Sequence, residues 1–254
     1  MISKEIFNVE NISNCPNDFN KIERLLEIFK DKKISINTLL SIENADAYGC
    51  KISTFRKVVN HASIIGMLDR DKINYSLSDL SQKYFNGQMG RLDYMQELID
   101  SSKILKNNFM VIECLLNLFN NELDIKTIYL IFSYVASNRL DESSMASFGR
   151  NIRSYLALYK MGGLVEKRNN KINLLNDKKE LCVNKKFSTV VINVNDLRRY
   201  VNEFFEEDVT EKILKCIATY ENDKYIWVKS SINKDKGEIV NLNQERIATF
   251  MIKE

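Results

Sequence analysis

KIERLLEIF at residues 21–29 returns as VIECLLNLF at residues 111–119, with Ile, Glu, Leu, Leu and Phe at equivalent places. ISINTL at 34–39 then matches LDIKTI at 123–128. Gly66 and Leu68 match Gly162 and Leu164, and KIN at 72–74 matches KIN at 171–173. One pair of amphipathic helices would mean little, since leucine and isoleucine recur anywhere. Four elements in the same order at nearly constant offset define an internal repeat. Such a chain is constrained to fold as two copies of one small module, followed by whatever the remaining residues build.

Each copy has a legible plan. In the second, Met145, Phe148, Ile152, Leu156 and Tyr159 recur at helical spacing and share one face. Ser147, Arg150, Asn151 and Ser154 are read on the opposite face. Gly162-Gly163 stops the helix, because glycine tolerates the left-handed conformation common at helix ends. Leu164-Val165 and Ile172-Leu174 then read as short strands joined by the basic turn Lys167-Arg168-Asn169-Asn170. The first copy runs in parallel. Ile52, Phe55, Val59 and Ala62 form the apolar face and Ser53, Arg56, Lys57 and Asn60 the polar one. Gly66 is the stop, and strands at 67–68 and 73–77 flank a turn at 69–72. Gly 8 and Pro 1 in 254 residues favour a mostly helical chain with few long loops.

Helix, glycine stop and basic hairpin, in that order and twice over, resemble the recognition helix and wing of winged helix-turn-helix DNA-binding proteins. The resemblance is one of pattern and points to a class of modules. It implies a mainly α fold with small β wings (α+β): two tandem winged helix-turn-helix domains plus a small C-terminal α+β unit. The expected boundaries are an N-terminal arm (1–18), a first domain (19–86), a connecting segment (87–102), a second domain (103–182) and a C-terminal unit (183–254).

DNA contact is expected from Ser53, Arg56, Lys57 and Asn60 in the first copy. In the second it is expected from Ser147, Arg150, Asn151, Arg153 and Ser154, with Lys167, Arg168 and Lys171 on the wing. Arginine reads guanine and asparagine reads adenine through paired hydrogen bonds in the major groove. Serines near the helix starts, Ser143 and Ser144 included, suit phosphates. The bland alternative is an ordinary solvated helix face. Net charge is only +3, so any DNA surface must be a local patch.

Other chemistry is poorly represented. Cys15, Cys50, Cys114, Cys182 and Cys216 are scattered, no CxxC pair occurs, and His61 is the sole histidine, which argues against a zinc site. His61 beside Ala62 suits a packed or half-exposed residue. No GxxxxGK[ST] loop is present, so nucleotide hydrolysis is disfavoured. Asp223, Asp235 and Glu238 with Lys224, Lys234 and Lys236 invite comparison with metal-dependent nucleases, but the spacing lacks the usual acidic-x-lysine strand ending. No catalytic residue, cofactor or metal is expected. A reducing cytoplasm fits the cysteines. The amino terminus has no signal-peptide core, and the apolar run at 111–119 is too short to span a bilayer.

After residue 175 the pattern changes. A lysine-containing linker leads to a β-branched strand at 190–192. Leu197, Tyr200, Val201, Phe204 and Phe205 then form an aromatic stripe, followed by a helix to about residue 220 and strands at 225–228 and 239–242. The tail at 245–252 is read as helical. Tyr200, Phe204, Phe205 and Trp227 are candidates for a homodimer interface or, on the bland reading, for the core of the unit. The leading expectation is a non-catalytic double-stranded-DNA-binding protein, either a transcriptional regulator or the DNA-recognition component of a restriction or other defence system. The alternative is a tandem winged-helix scaffold that binds a kleisin-like partner in a chromosome-organising complex.

Overall fold

The computed structural model describes residues 1–7, 9–30, 32–118, 122–137, 142–175, 191–219, 225–229 and 237–252. The protein is mainly helical with small antiparallel sheets. A 3-10 turn at Lys4–Phe7 precedes α1 (Phe19–Ile28), β1 (Ile34–Ser35), α2 (Ile36–Leu39), α3 (Ile42–Tyr48), α4 (Ile52–Ile64), β2 (Leu68–Asp71) and β3 (Asn74–Leu77). Helices α5 (Asp79–Phe85) and α6 (Arg91–Ser101) follow. Then come α7 (Lys103–Leu118), β4 (Leu123–Asp124), α8 (Ile125–Ser137), α9 (Glu142–Met161), β5 (Val165–Arg168) and β6 (Lys171–Leu174). The chain continues with β7 (Val191–Asn193), α10 (Val194–Val201), α11 (Glu207–Ile217), β8 (Tyr225–Lys229), β9 (Ile239–Val240) and β10 (Arg246–Ile252).

The repeat seen in the sequence is a repeat of topology. The first sheet has the order β1-β3-β2 and the second β4-β6-β5. In both, a strand feeds straight into a helix, a long helix follows, and a hairpin returns so that its second strand lies in the middle. The sheet contacts shift the pairing of the two copies by one residue. Ile34 opposes Tyr75 and Leu123 opposes Ile172. The Ile36 N–H donates to the carbonyl of Ile73 at 2.7 Å, as the Ile125 N–H does to that of Asn170 at 2.9 Å. Lys72 and Asn169 both have positive φ, 54° and 55°. Lys72 therefore corresponds to Asn169, Ile73 to Asn170 and Tyr75 to Ile172, which corrects the alignment of the two KIN triplets. A one-residue slip sends every strand side chain to the other face, so the burial pattern decides it. Tyr75 and Ile172 are both buried. Likewise Gly66 matches Gly163 rather than Gly162, both being left-handed, at 88° and 67°.

A third run of strand, helices and further strands appears where the sequence suggested only a small α+β unit, with two helices as in the second copy against three in the first. Its sheet order, β7-β10-β8, again places the last strand between the other two, with β9 paired to β10 as an addition. The three strand-to-helix junctions are capped alike, by the last residue of the strand. The Ser35 hydroxyl accepts from the Thr38 N–H, Asp124 from Lys126 and Asn193 from Asp196. The expected helix at 245–252 is the strand β10. Its residues pair along β8 and β7, and that ladder overrides local helix preference.

Two compact units can be distinguished. One comprises residues 10–109 and 150–166, and so holds the whole of the first copy. Its core includes Ile22, Leu25, Leu26, Phe29, Phe55, Val59, Tyr94, Leu98, Tyr155 and Tyr159, all buried. The buried phenols are satisfied: Tyr159 donates to the Leu105 carbonyl at 2.8 Å, and Tyr94 shares a 2.9 Å bond with Ser81. The segment expected to be a connector carries α6, whose Tyr94, Met95, Leu98 and Ile99 are buried. It is core, because those residues recur at helical spacing. The other unit comprises residues 1–9, 110–149 and 167–254. Here the expected N-terminal arm is also core. Phe7 is fully buried, its ring 5.2 Å from Phe132 and 6.1 Å from Phe205, and the backbone at Ile2 bonds to Phe204.

Tyr200 and Phe205 are buried within this single chain, and Phe204 is half-buried with its ring edge-on to Tyr200. The Trp227 side chain lies outside the described residues. Of the two readings of the stripe, Tyr200 and Phe205 fit the core of the unit, with the Phe7 ring beside Phe205. Among the described residues, no helix is long and apolar enough to cross a membrane.

Candidate nucleic-acid interface

The first copy builds a cationic cleft. Helix α4 buries Phe55, Val58, Val59, His61 and Ala62, which at 100° per residue leaves Ser53, Arg56 and Lys57 exposed and Asn60 half-buried at the margin. Hairpin β2–β3 stands beside this margin, with a two-residue turn, Lys72-Ile73, fixed by the pairing of Asp71 with Asn74. Between helix and hairpin lies a cleft of about 490 Å³ lined by Arg56, Lys57, Asn60, Arg70 and Lys72, with Ile36, His61, Ile73 and Tyr75. Four of these residues are cations and none is a carboxylate.

Several contacts hold the cleft in shape. Arg70 donates from Nε to the Lys72 carbonyl at 3.1 Å, and its guanidinium lies 5.6 Å from the Tyr75 ring centre, so the fork is oriented before any ligand arrives. The acid beside it, Asp71, is engaged by Lys33 at 2.6 Å. His61 accepts the Asn14 N–H at Nδ1, 3.1 Å away. Burial, and then the positive charge of Lys57, lowers its pKa from the ordinary value, so it is neutral at pH 7. His61 forms part of the cleft wall.

The charge of this lining suits an anionic ligand. Clustered cations repel one another and are relieved by a polyanion, and their local field is far larger than the net charge of +3 conveys. The apolar corner of Ile36 and Ile73 gives the cleft a second character, suited to sugar or base edges.

The second copy is less open. On α9, Ser147, Arg150 and Arg153 are exposed, but Asn151 and Ser154 are buried, at 6% and 5% exposure. The apolar stripe of this helix is wider than its spacing implied, because Tyr155 and Leu158 are buried as well as Ile152, Leu156 and Tyr159. Ser154 donates to the Arg150 carbonyl, and Asn151 Oδ1 has no protein partner. Neither side chain is presented to a groove. By the corrected register Arg150 stands where Ser53 does, and Arg153 where Arg56 does. On the hairpin, Lys167 and Arg168 are exposed, while Lys171 is half-buried and paired with Glu122 at 2.7 Å. The side chains of Ser143 and Ser144 lie outside the described residues.

Sequence reasoning placed Arg56, Lys57 and Asn60 and missed Arg70 and Lys72. The signal was present in DRDKIN, the counterpart of the basic turn in the second copy. Of the carboxylates compared with a nuclease site, Glu238 lies 3.7 Å from Arg246, whereas Asp223 and Asp235 fall outside the described residues. Among the described residues no group of three or more histidine, cysteine or acidic side chains is placed to hold a metal ion. Comparison with models of known protein families, with curated proteins and with solved structures finds no match for this chain.

Proposed function

We propose that this chain is a non-catalytic double-stranded-DNA-binding protein built on winged helix-turn-helix modules, with the first module as the principal contact. The observation that carries this reading is the cleft between α4 and the β2–β3 hairpin, where Arg56, Lys57, Arg70 and Lys72 converge without an opposing carboxylate. Order and sheet topology support the module assignment: a strand, two or three helices and a hairpin, with the last strand central. Helix α4 lies along the major groove with Ser53 and Asn60 toward base edges, and Arg56 and Lys57 join the hairpin cations on the flanking phosphates. Arg150 and Arg153 on α9 give the second module a smaller contact of the same kind. A regulator and the recognition component of a defence system would both use this surface.

The third copy is assigned a different role. Two of its cations are paired within it, Arg198 with Glu211 and Lys212 with Asp208, and it is given no part in the phosphate grip.

The test is electrophoretic mobility shift on mixed-sequence duplex across a salt series. Each lost phosphate contact removes about 0.9 from the log-log slope. Arg56→Ala with Lys57→Ala should lower the slope by about 1.8, Arg153→Ala by about 0.9, and the buried Ser154→Ala by nothing. Absence of binding by the unaltered protein at low salt would end the DNA reading and leave the protein-binding scaffold as the explanation.

A further inference from the structure

Ile73 is 56% exposed, an aliphatic side chain at the tip of a hairpin whose neighbours in the cleft are cations. Its position is rigid. Its carbonyl is fixed by the Ile36 N–H at 2.7 Å, the preceding Lys72 is held in the left-handed region, and Arg70 bonds to the Lys72 carbonyl. The corresponding residue of the second hairpin is Asn170, the kind of polar residue a turn usually carries. Isoleucine here thus departs from the chain's own internal copy, at a hairpin that lines a cationic cleft. A single exposed isoleucine is ordinary on a protein surface. One fixed at the tip of a hairpin, beside a cleft lined by Arg56, Lys57, Arg70 and Lys72, is placed to meet the duplex whenever those cations do.

We infer that Ile73 is an apolar wedge, and that the first module deforms the DNA it binds. The inference rests on the DNA reading above. Arg70, Lys72 and Lys57 grip phosphates, while Ile73, backed by Ile36, enters the minor groove and leans on a base step. Apolar wedges of this kind partly unstack a step and kink the duplex by roughly 20–90°. The step that yields most readily is pyrimidine–purine, so sites with a TA or CA step under the wing are preferred over stiff A-tracts. The contribution is apolar, and it leaves the salt dependence of binding unchanged.

The experiment uses the full chain and a duplex of about 30 base pairs carrying a donor and an acceptor dye at its ends, with a central TA step. The unaltered protein should raise energy transfer as it saturates the duplex. Ile73→Asn, which installs the residue of the second hairpin at an exposed position, should leave circular dichroism unchanged and abolish the rise in transfer. It should weaken binding about five- to tenfold with the same salt slope. Arg70→Ala serves as the second variant, lowering the slope while leaving part of the bend. Binding without any rise in transfer, or a bend that survives Ile73→Asn, overturns the wedge and leaves the DNA reading standing. No binding at low salt overturns both.

Discussion

Lys72→Asn should make the protein more stable and a poorer DNA binder. Lys72 has φ 54°, a conformation that costs an ordinary L-residue roughly 1–2 kcal/mol and that asparagine tolerates. The protein contains its own control, since Asn169 occupies the corresponding turn position at φ 55°. Only the backbone carbonyl of Lys72 takes part in holding Arg70, so the substitution leaves that bond in place. The expected gain is about 0.5–1 kcal/mol, which for a chain of this size raises Tm by about 1–4 °C. The same change removes a cation from the cleft, and the salt slope of DNA binding should fall by about 0.9. Differential scanning calorimetry and mobility-shift titrations on one preparation measure both effects. A Tm that falls would refute the strain argument. A slope that does not move would refute the assignment of Lys72 to the phosphate grip, even if stability rises as expected.

Further outcomes follow from the burial pattern. His61 has a folded-state pKa below its unfolded value, so protonation favours the unfolded chain. Its contribution is full above about pH 6.5 and is lost as pH falls below it, by at most about 1.4 kcal/mol per pH unit. Urea denaturation at pH 7 and pH 5.5 should show a difference that His61→Gln reduces, and an unchanged difference would assign the effect elsewhere. Phe7→Ala should cost about 3–5 kcal/mol, the usual range for a fully buried aromatic, because Phe7 packs against Phe132 and Phe205. A loss below about 1 kcal/mol in urea denaturation would restore the N-terminal segment to the status of a loose arm.

What the sequence determined was local. Helical period placed α4 and assigned Ile52, Phe55, Val59 and Ala62 to its inner face; Phe55, Val59 and Ala62 are buried, whereas Ile52 in the first turn is exposed. Glycine marked the ends of α4 and α9, where Gly66 and Gly163 adopt the left-handed conformation that glycine takes at little cost. Repetition of pattern revealed two copies, since each element's spacing is written into a few consecutive residues.

What the tertiary structure decided involved distant partners. Asn151 and Ser154 read as an outer face, and burial shows that they are not, because the width of a helix's buried stripe is set by what packs around it. The register of the hairpins depends on β1 and β4, whose pairing overrides the identical KIN triplets. The N-terminal segment and α6 look unremarkable as strings and become core only when Phe7, Tyr94 and Leu98 meet their neighbours. The third copy echoes the first only at its strand-to-helix junction, INVNDL at 192–197 beside ISINTL at 34–39, and a match that short is not legible as a repeat until the sheet order is seen. The cationic cleft needed Arg70 and Lys72 to be brought beside Arg56 and Lys57, and only the folded hairpin does that.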